Sequence, residues 1–131
     1  MIQKLILYIF LCLLSLQTSA QQNYSEIAVK FLTFYNKESS DSIFNLYSST
    51  LKEKLPLEKT RSLFSGLHVE FGDLRALDLL KTDSGFNRYK ASFNHQTLTL
   101  LLALSDENLI EGFRLVPFDS AQFPEQKKRV K

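Results

Sequence analysis

From residue 24 onward the apolar positions recur at helical spacing. Ile27, Phe31 and Phe34 follow one another at steps of three and four, with Ala28 and Tyr35 beside them and Glu26, Lys30 and Thr33 elsewhere. That pattern predicts an amphipathic helix over residues 24–36. Asn23, with Glu26 three residues on, resembles the box that caps a helix start. Lys37-Glu38-Ser39-Ser40 breaks the stripe, and Ser40 or Asp41 can cap the next helix. Ile43, Phe44, Tyr47 and Leu51 predict that second helix, ending at about Tyr47 or Ser48, where Ser48-Ser49-Thr50 loosens it. Pro56 suits the first turn of a third helix over 56–70, with Leu57, Phe64, Leu67 and Phe71 on one face. Gly72 stands where such a helix stops.

Beyond Gly72 the period shortens to two. Leu74, Ala76 and Asp78 alternate with Arg75, Leu77 and Leu79, a strand whose facing the pattern leaves open. Asp83-Ser84-Gly85 signals a tight turn. Tyr89, Ala91 and Phe93 then alternate with Arg88, Lys90, Ser92 and Asn94, a half-buried strand with one wet face. Leu98, Leu100, Leu102 and Leu104 are apolar on one side and semi-apolar on the other, which places their strand centrally. Ser105-Asp106-Glu107-Asn108 turns the chain into a last strand over 109–116, where Gly112 suggests a bulge or a close approach. Helices first and hairpin-linked strands afterwards predict an α+β domain: three N-terminal helices on a curved, four-stranded antiparallel sheet. Its expected extent is residues 21–118, followed by a basic tail over 119–131.

The segment before the first helix has a different character. Lys4, the apolar run 5–14 and the small residues Thr18-Ser19-Ala20 make the tripartite pattern of a secretory signal, with cleavage expected after Ala20. The run falls short of the roughly 20 residues that span a bilayer. A removable leader over 1–20 is therefore expected, with no stable membrane anchor after cleavage and a periplasmic or secreted location. Cys12 is the only cysteine. Bulky Phe10 and Leu11 before it argue against lipidation, and its place in the leader excludes a disulfide framework from the mature domain. Sixteen Lys and Arg stand against 14 Asp and Glu in the whole chain. Lys127, Lys128, Arg129 and Lys131 crowd the end, leaving the body slightly acidic, which makes nucleic-acid binding unattractive. The tail reads as a solvated terminus or as a contact for acidic lipid head groups.

Phe31-Leu32, Leu46-Tyr47 with Leu51, Leu55-Pro56-Leu57, Phe71-Gly72, the strand 98–104 and Ile110-Glu111-Gly112-Phe113 come in an order that resembles a domain-of-unknown-function family of exported bacterial proteins. Members of that family often precede a serine hydrolase or α/β-hydrolase domain. The likeness covers residues 24–118. The family in turn resembles the nuclear-transport-factor-2-like superfamily, in which a bent sheet wraps helices into a cone that often holds a pocket. The resemblance implies that fold and a place for such a pocket. It carries over no hydrolytic residue, because the chain ends soon after the last strand.

Candidate chemistry is sparse. Of the two histidines, His68 falls at the border of the third helix's apolar stripe, and His95 falls between two strands. His68 and Glu70, two apart on a helix, face different directions. Asp78 either points into the cone, where burial would raise its pKa, or faces water from an edge strand. Glu111 carries the same ambiguity. Metal-ligand spacing, a glycine-rich phosphate loop and a nucleophile elbow are all missing from the pattern, so neither an enzyme nor a cofactor is expected. The chain is rich in rings, with 11 Phe and 5 Tyr. They either line a pocket or fill the core. The expected function is an exported, non-catalytic module that binds a small apolar ligand or a protein partner, with Asp78, Tyr89, Phe93, His95 and Phe113 as candidate pocket residues. The alternatives are a homodimerising accessory domain, joined through a sheet face bearing Arg88, Lys90, Ser92 and Thr99, or the remnant of a longer secreted hydrolase.

Overall fold

The computed structural model describes residues 19–122, with side chains described from Tyr24. The expected leader, apart from its last two residues, and the basic end of the tail lie outside that range. The order is α1 (Ser19–Asn36), α2 (Ser40–Phe44), α3 (Ser49–Lys54), α4 (Leu57–Phe71), then β1 (Leu74–Asp83), β2 (Phe86–Phe93), β3 (Thr97–Leu104) and β4 (Ile110–Pro117). A 3-10 turn at Ser120–Gln122 comes last. The α+β class and the four-stranded antiparallel sheet stand as expected, but there are four helices among the described residues instead of three.

Two helix boundaries differ from the sequence pattern for physical reasons. The first helix already includes Ser19, so Asn23 lies inside it and not at its start. Ala20, Gln21 and Gln22 are all acceptable in a helix interior and give the chain no reason to stop there. The second expected helix is two short ones. Between them Tyr47 forms a parallel bridge with Ile110, with Ser48 N–H donating to Ile110 O (2.8 Å) and Ile110 N–H to Leu46 O (2.8 Å). A helix cannot continue while its backbone pairs with the edge of β4. Ser48 does not fray a helix end: its hydroxyl accepts from Leu51 N–H (3.2 Å) and caps α3.

α1 ends in a six-to-one C-cap, with Ser39 N–H donating to Phe34 O (2.9 Å) and Glu38 at φ 55° in the left-handed region. Two side chains of this last turn hold it to the sheet. The Asn36 amide both donates to Leu74 O (2.9 Å) and accepts from Leu74 N–H (2.8 Å), imitating a neighbouring strand at the start of β1. Tyr35 Oη donates to Gly72 O (2.8 Å). At its other end α1 lies over β3, where Leu104 N–H donates to Tyr24 Oη (3.3 Å). α1 thus runs diagonally across the sheet, from the end of β3 to the start of β1.

The strands follow one another in space as in sequence, β1-β2-β3-β4, and the sheet is open. Ser84-Gly85 links β1 to β2, with Gly85 at φ 90°. The bulge between β3 and β4 falls at Glu111, one residue before Gly112. Register assigns the two faces. Asn87, Tyr89, Ala91, Phe93, Leu98, Leu100 and Leu102 are buried and face the helices, together with their partners Leu77, Leu79, Phe113 and Leu115. The other face carries Asp78, Arg88, Lys90, Ser92, Thr99, Leu101, Arg114 and Val116. Past β4 the chain folds back over that face, bringing the Phe118 ring within 5.4 Å of Lys90 Nζ.

Rings make the centre of the core. Phe64 of α4 lies 5.7 Å from Phe31 of α1, edge-on, and 5.6 Å from Phe113 of β4, stacked. Phe93 meets Tyr35 at 5.6 Å and Phe71 at 5.5 Å. Such edge-to-face and offset pairs add to the area they bury. On the outside, Arg61 of α4 grips Asp41 of α2 through two bonds of 2.9 Å, and those bonds hold the Asp41 carboxyl below its ordinary range.

Candidate functional site

The diagonal course of α1 leaves one corner of the sheet, over the second half of β1, without a helix. Ser25 and Ala28, one turn apart on α1, are too short to close the gap to the strands. The result is a cleft of about 320 Å³, lined by Ser25, Ala28, Val29 and Leu32 from α1, Leu77, Asp78 and Leu79 from β1, and Asn87 and Tyr89 from β2. Val29 (61 % exposed) and Leu79 (45 % exposed) stand at its mouth as uncovered apolar side chains.

The polar groups lie deep. Tyr89 is buried, and burial holds its phenol above the ordinary tyrosine value, so it is a protonated hydroxyl at neutral pH. Asn87, 3 % exposed, donates from Nδ2 to Tyr89 Oη at 3.3 Å. Its Oδ1 is buried and has no hydrogen-bond partner among the described residues. The cleft is therefore walled largely by hydrocarbon, with Ser25 on α1 and the bonded Asn87–Tyr89 pair on β2 adding polar groups.

Of the five residues expected to form a pocket, two line this cleft. Tyr89 contributes its ring and hydroxyl. Asp78 contributes from the strand, but it stands opposite Lys90 in register and shares that residue's face. Its carboxylate is exposed on the far side of the edge strand. The other three are elsewhere. Phe93 is in the aromatic core, and Phe113 packs against that core while also lining a separate, shallow hollow of about 200 Å³ with Phe86, Leu101, Ala103, Gly112 and Arg114. His95 is exposed in the β2–β3 turn, with Nδ1 3.3 Å from Glu70 O. The residue that pattern reading passed over is Asn87. Its signal was present: it begins the in-facing series Asn87, Tyr89, Ala91, Phe93, where an amide replaces an expected hydrocarbon.

A second grouping surrounds His68. Its Nε2 lies 2.8 Å from Asp73 Oδ1 and its Nδ1 3.4 Å from Glu38 Oε1, with the Tyr35 ring at 5.4 Å. The imidazole joins the end of α4, the α4–β1 link and the turn after α1. Both carboxylates are more than half exposed, and the geometry is that of a tie between elements. The neighbouring hollow of about 180 Å³ is lined by Phe34, Tyr35, Glu38, Ser39, Ser40, Ile43, Phe64 and Ser65. Burial, then the charges of Asp73 and Glu38, push the Tyr35 phenol up to about 12. Among the described residues no group of three His, Cys, Asp or Glu side chains could hold a metal ion, and no helix is long and apolar enough to cross a membrane.

Most of the residues that build these elements fall inside a recognised sequence family. Residues 28–113, well over half of the chain, match the model of a protein family of unknown function, DUF3887. The chain belongs to this family. The matched span of the DUF3887 domain runs from Ala28 in the cleft wall to Phe113 in the core, and so includes every cleft residue except Ser25. No curated protein and no solved structure matches the chain.

Proposed function

We propose that this DUF3887 protein is an exported, non-catalytic binding module, cone-like in the manner of the nuclear-transport-factor-2-like superfamily, that holds a small and largely apolar ligand in the cleft between α1 and the β1–β2 corner. The observation that carries this reading is the uncovered apolar mouth, Val29 and Leu79, opening onto a floor whose polar atoms are buried. Concave, mostly apolar sites with few, placed polar groups are the usual form of small-ligand sites. Nothing in the cleft offers a positioned acid or base: the Asp78 carboxylate is on the other face, and Tyr89 is a neutral phenol. The expected leader over 1–20 supports an extracytoplasmic location, where a hydrolase encoded nearby is a candidate partner.

Native mass spectrometry of the protein purified from its native host tests this directly. The expected result is a retained small molecule that a Val29→Asp substitution at the cleft mouth releases while the fold is kept. Protein that emerges bare, and that also fails to take up any apolar probe at the methyl groups of Val29, Leu32, Leu77 and Leu79, would end the reading. The homodimer reading is weaker on physical grounds. A two-fold axis through the open sheet face would gather Arg88, Lys90 and Arg114 with their copies, a charge that Asp78 and the Arg88–Asp83 pair offset only in part.

A further inference from the structure

From the orphaned amide oxygen we infer that the ligand of this cleft presents a hydrogen-bond donor, a hydroxyl or an amide N–H, to Asn87 Oδ1, and that Asn87 sets the specificity of the site. This rests on the proposed binding function and gives it a ligand class: an aliphatic or aromatic body with one alcohol or amide head.

Three observations converge. Asn87 is only 3 % exposed on the helix-facing side of β2, in a series otherwise made of Tyr89, Ala91 and Phe93. A buried carbonyl oxygen left unpaired costs roughly 1–3 kcal/mol, and a leucine of similar size would avoid that cost. Asn87 Oδ1 has no partner among the described residues, while its Nδ2 is engaged by Tyr89 Oη (3.3 Å). The third is the chemistry of that bond. Tyr89 uses its oxygen to accept from Asn87, so its own proton is not consumed there. An acceptor, Oδ1, and a donor, the Tyr89 O–H, thus belong to two hydrogen-bonded side chains of residues that both line the cleft. A hydroxyl or a carboxamide satisfies both at once. An ether or ester can only accept, and leaves Oδ1 unpaired.

The surroundings limit what else the head group can be. Val29, Leu32, Leu77 and Leu79 supply hydrocarbon, no cation lines the cavity among the described residues, and the one acidic residue of its lining, Asp78, is turned to the opposite face by its register with Lys90. A charged head would enter without a counter-charge and be desolvated at high cost. A neutral donor fits. Sites built to hydrogen-bond a substrate's OH or NH reject analogues that lack it far more strongly than hydrocarbon walls reject a wrong shape.

The test uses two isomers, heptan-1-ol and 1-methoxyhexane, which share a formula and differ in whether the oxygen can donate. Each is titrated into isotopically labelled protein, and the methyl resonances of Val29, Leu32, Leu77 and Leu79 are followed. The alcohol is expected to bind about tenfold more tightly than the ether. In Asn87→Leu that preference is expected to vanish, with both isomers still shifting the same methyls. Equal affinity of the two isomers for the unaltered protein overturns the inference, whether or not the variant folds. So does an alcohol preference that survives Asn87→Leu. If neither isomer moves the cleft methyls, the binding function itself fails, an outcome separate from binding without discrimination.

Discussion

Gly72 shows how a single position can be committed twice. Its φ of 79° lies where side chains are rarely accepted, and a Cβ there would come within 2.9 Å of Asn94 Cβ. The residue ends α4, passes its carbonyl to Tyr35 Oη and lies against the β2–β3 turn. Gly72→Ala is expected to destabilise the fold by about 2 kcal/mol, from backbone strain and the close approach together. A lowered midpoint with an unchanged slope in urea denaturation would show it. Tyr35 beside it makes a prediction about pH. Its phenol is neutral in the folded state up to about pH 12, against about 10 when unfolded. Because the folded pKa is the higher one, its contribution is complete below pH 10 and is lost as pH rises from 10 through 12. Burial also raises Tyr47 and Tyr89, which add to the same trend. Thermal melts should therefore fall steeply across that window. Tyr35→Phe should melt lower at neutral pH, having lost its bond to Gly72, and decline less steeply above about pH 10.

Between elements, short polar bridges decide where helices stop and how they dock. Asn36 occupies the place of a fifth strand for one residue, satisfying both backbone groups of Leu74, which is 1 % exposed. Asn36→Ala should leave an N–H and a C=O unpaired beside the buried start of β1 and cost roughly 2–3 kcal/mol. Hydrogen exchange at Leu74 should accelerate in step. Intact stability in this variant would mean that water replaces the amide without loss. The Tyr47–Ile110 bridge plays a comparable part on the opposite edge, where it divides one amphipathic stripe into α2 and α3. The stripe Ile43, Phe44, Tyr47, Leu51 is continuous in sequence, so periodicity alone cannot locate the break. The partner that interrupts it lies about sixty residues downstream (roughly half the chain, so beyond any local signal).

At the scale of the whole molecule, the diagonal placement of α1 is what creates the cleft. The helix is pinned at Tyr24 over Leu104 and at Asn36 over Leu74, and the corner over Leu77 and Leu79 is left open. Phe31, Phe64, Phe93 and Phe113 fill the middle of the molecule, so the open volume lies at the rim of the core. Binding of an apolar ligand there should protect the β1–β2 hairpin from hydrogen exchange without altering the centre.

The class and the order of the structure follow from the pattern of residues along the chain. Residues alternating in hydropathy from Leu74 to Val116 have one face to bury and one to leave wet, which specifies four strands. The turn chemistry of Ser84-Gly85 and of 105–108 makes them consecutive and antiparallel. That pattern also placed Gly72 at the end of a helix and Tyr89 on an inward face, since both depend on local backbone preference and on period. Tertiary structure alone decided the rest. The angle at which α1 crosses the sheet depends on hydrogen bonds between residues such as Asn36 and Leu74, far apart in the chain. The side to which Asp78 points depends on its register against Lys90, and an alternating strand reads equally well with either face inward. Phe93 and Phe113 read as pocket or core with equal ease, because a ring's hydropathy is the same in either place. Only the packing of Tyr35 and Phe64 against them settles which. Asn87 has meaning as a half-paired amide only once its Oδ1 is seen to lack a partner among the described residues, and that is a property of three-dimensional surroundings.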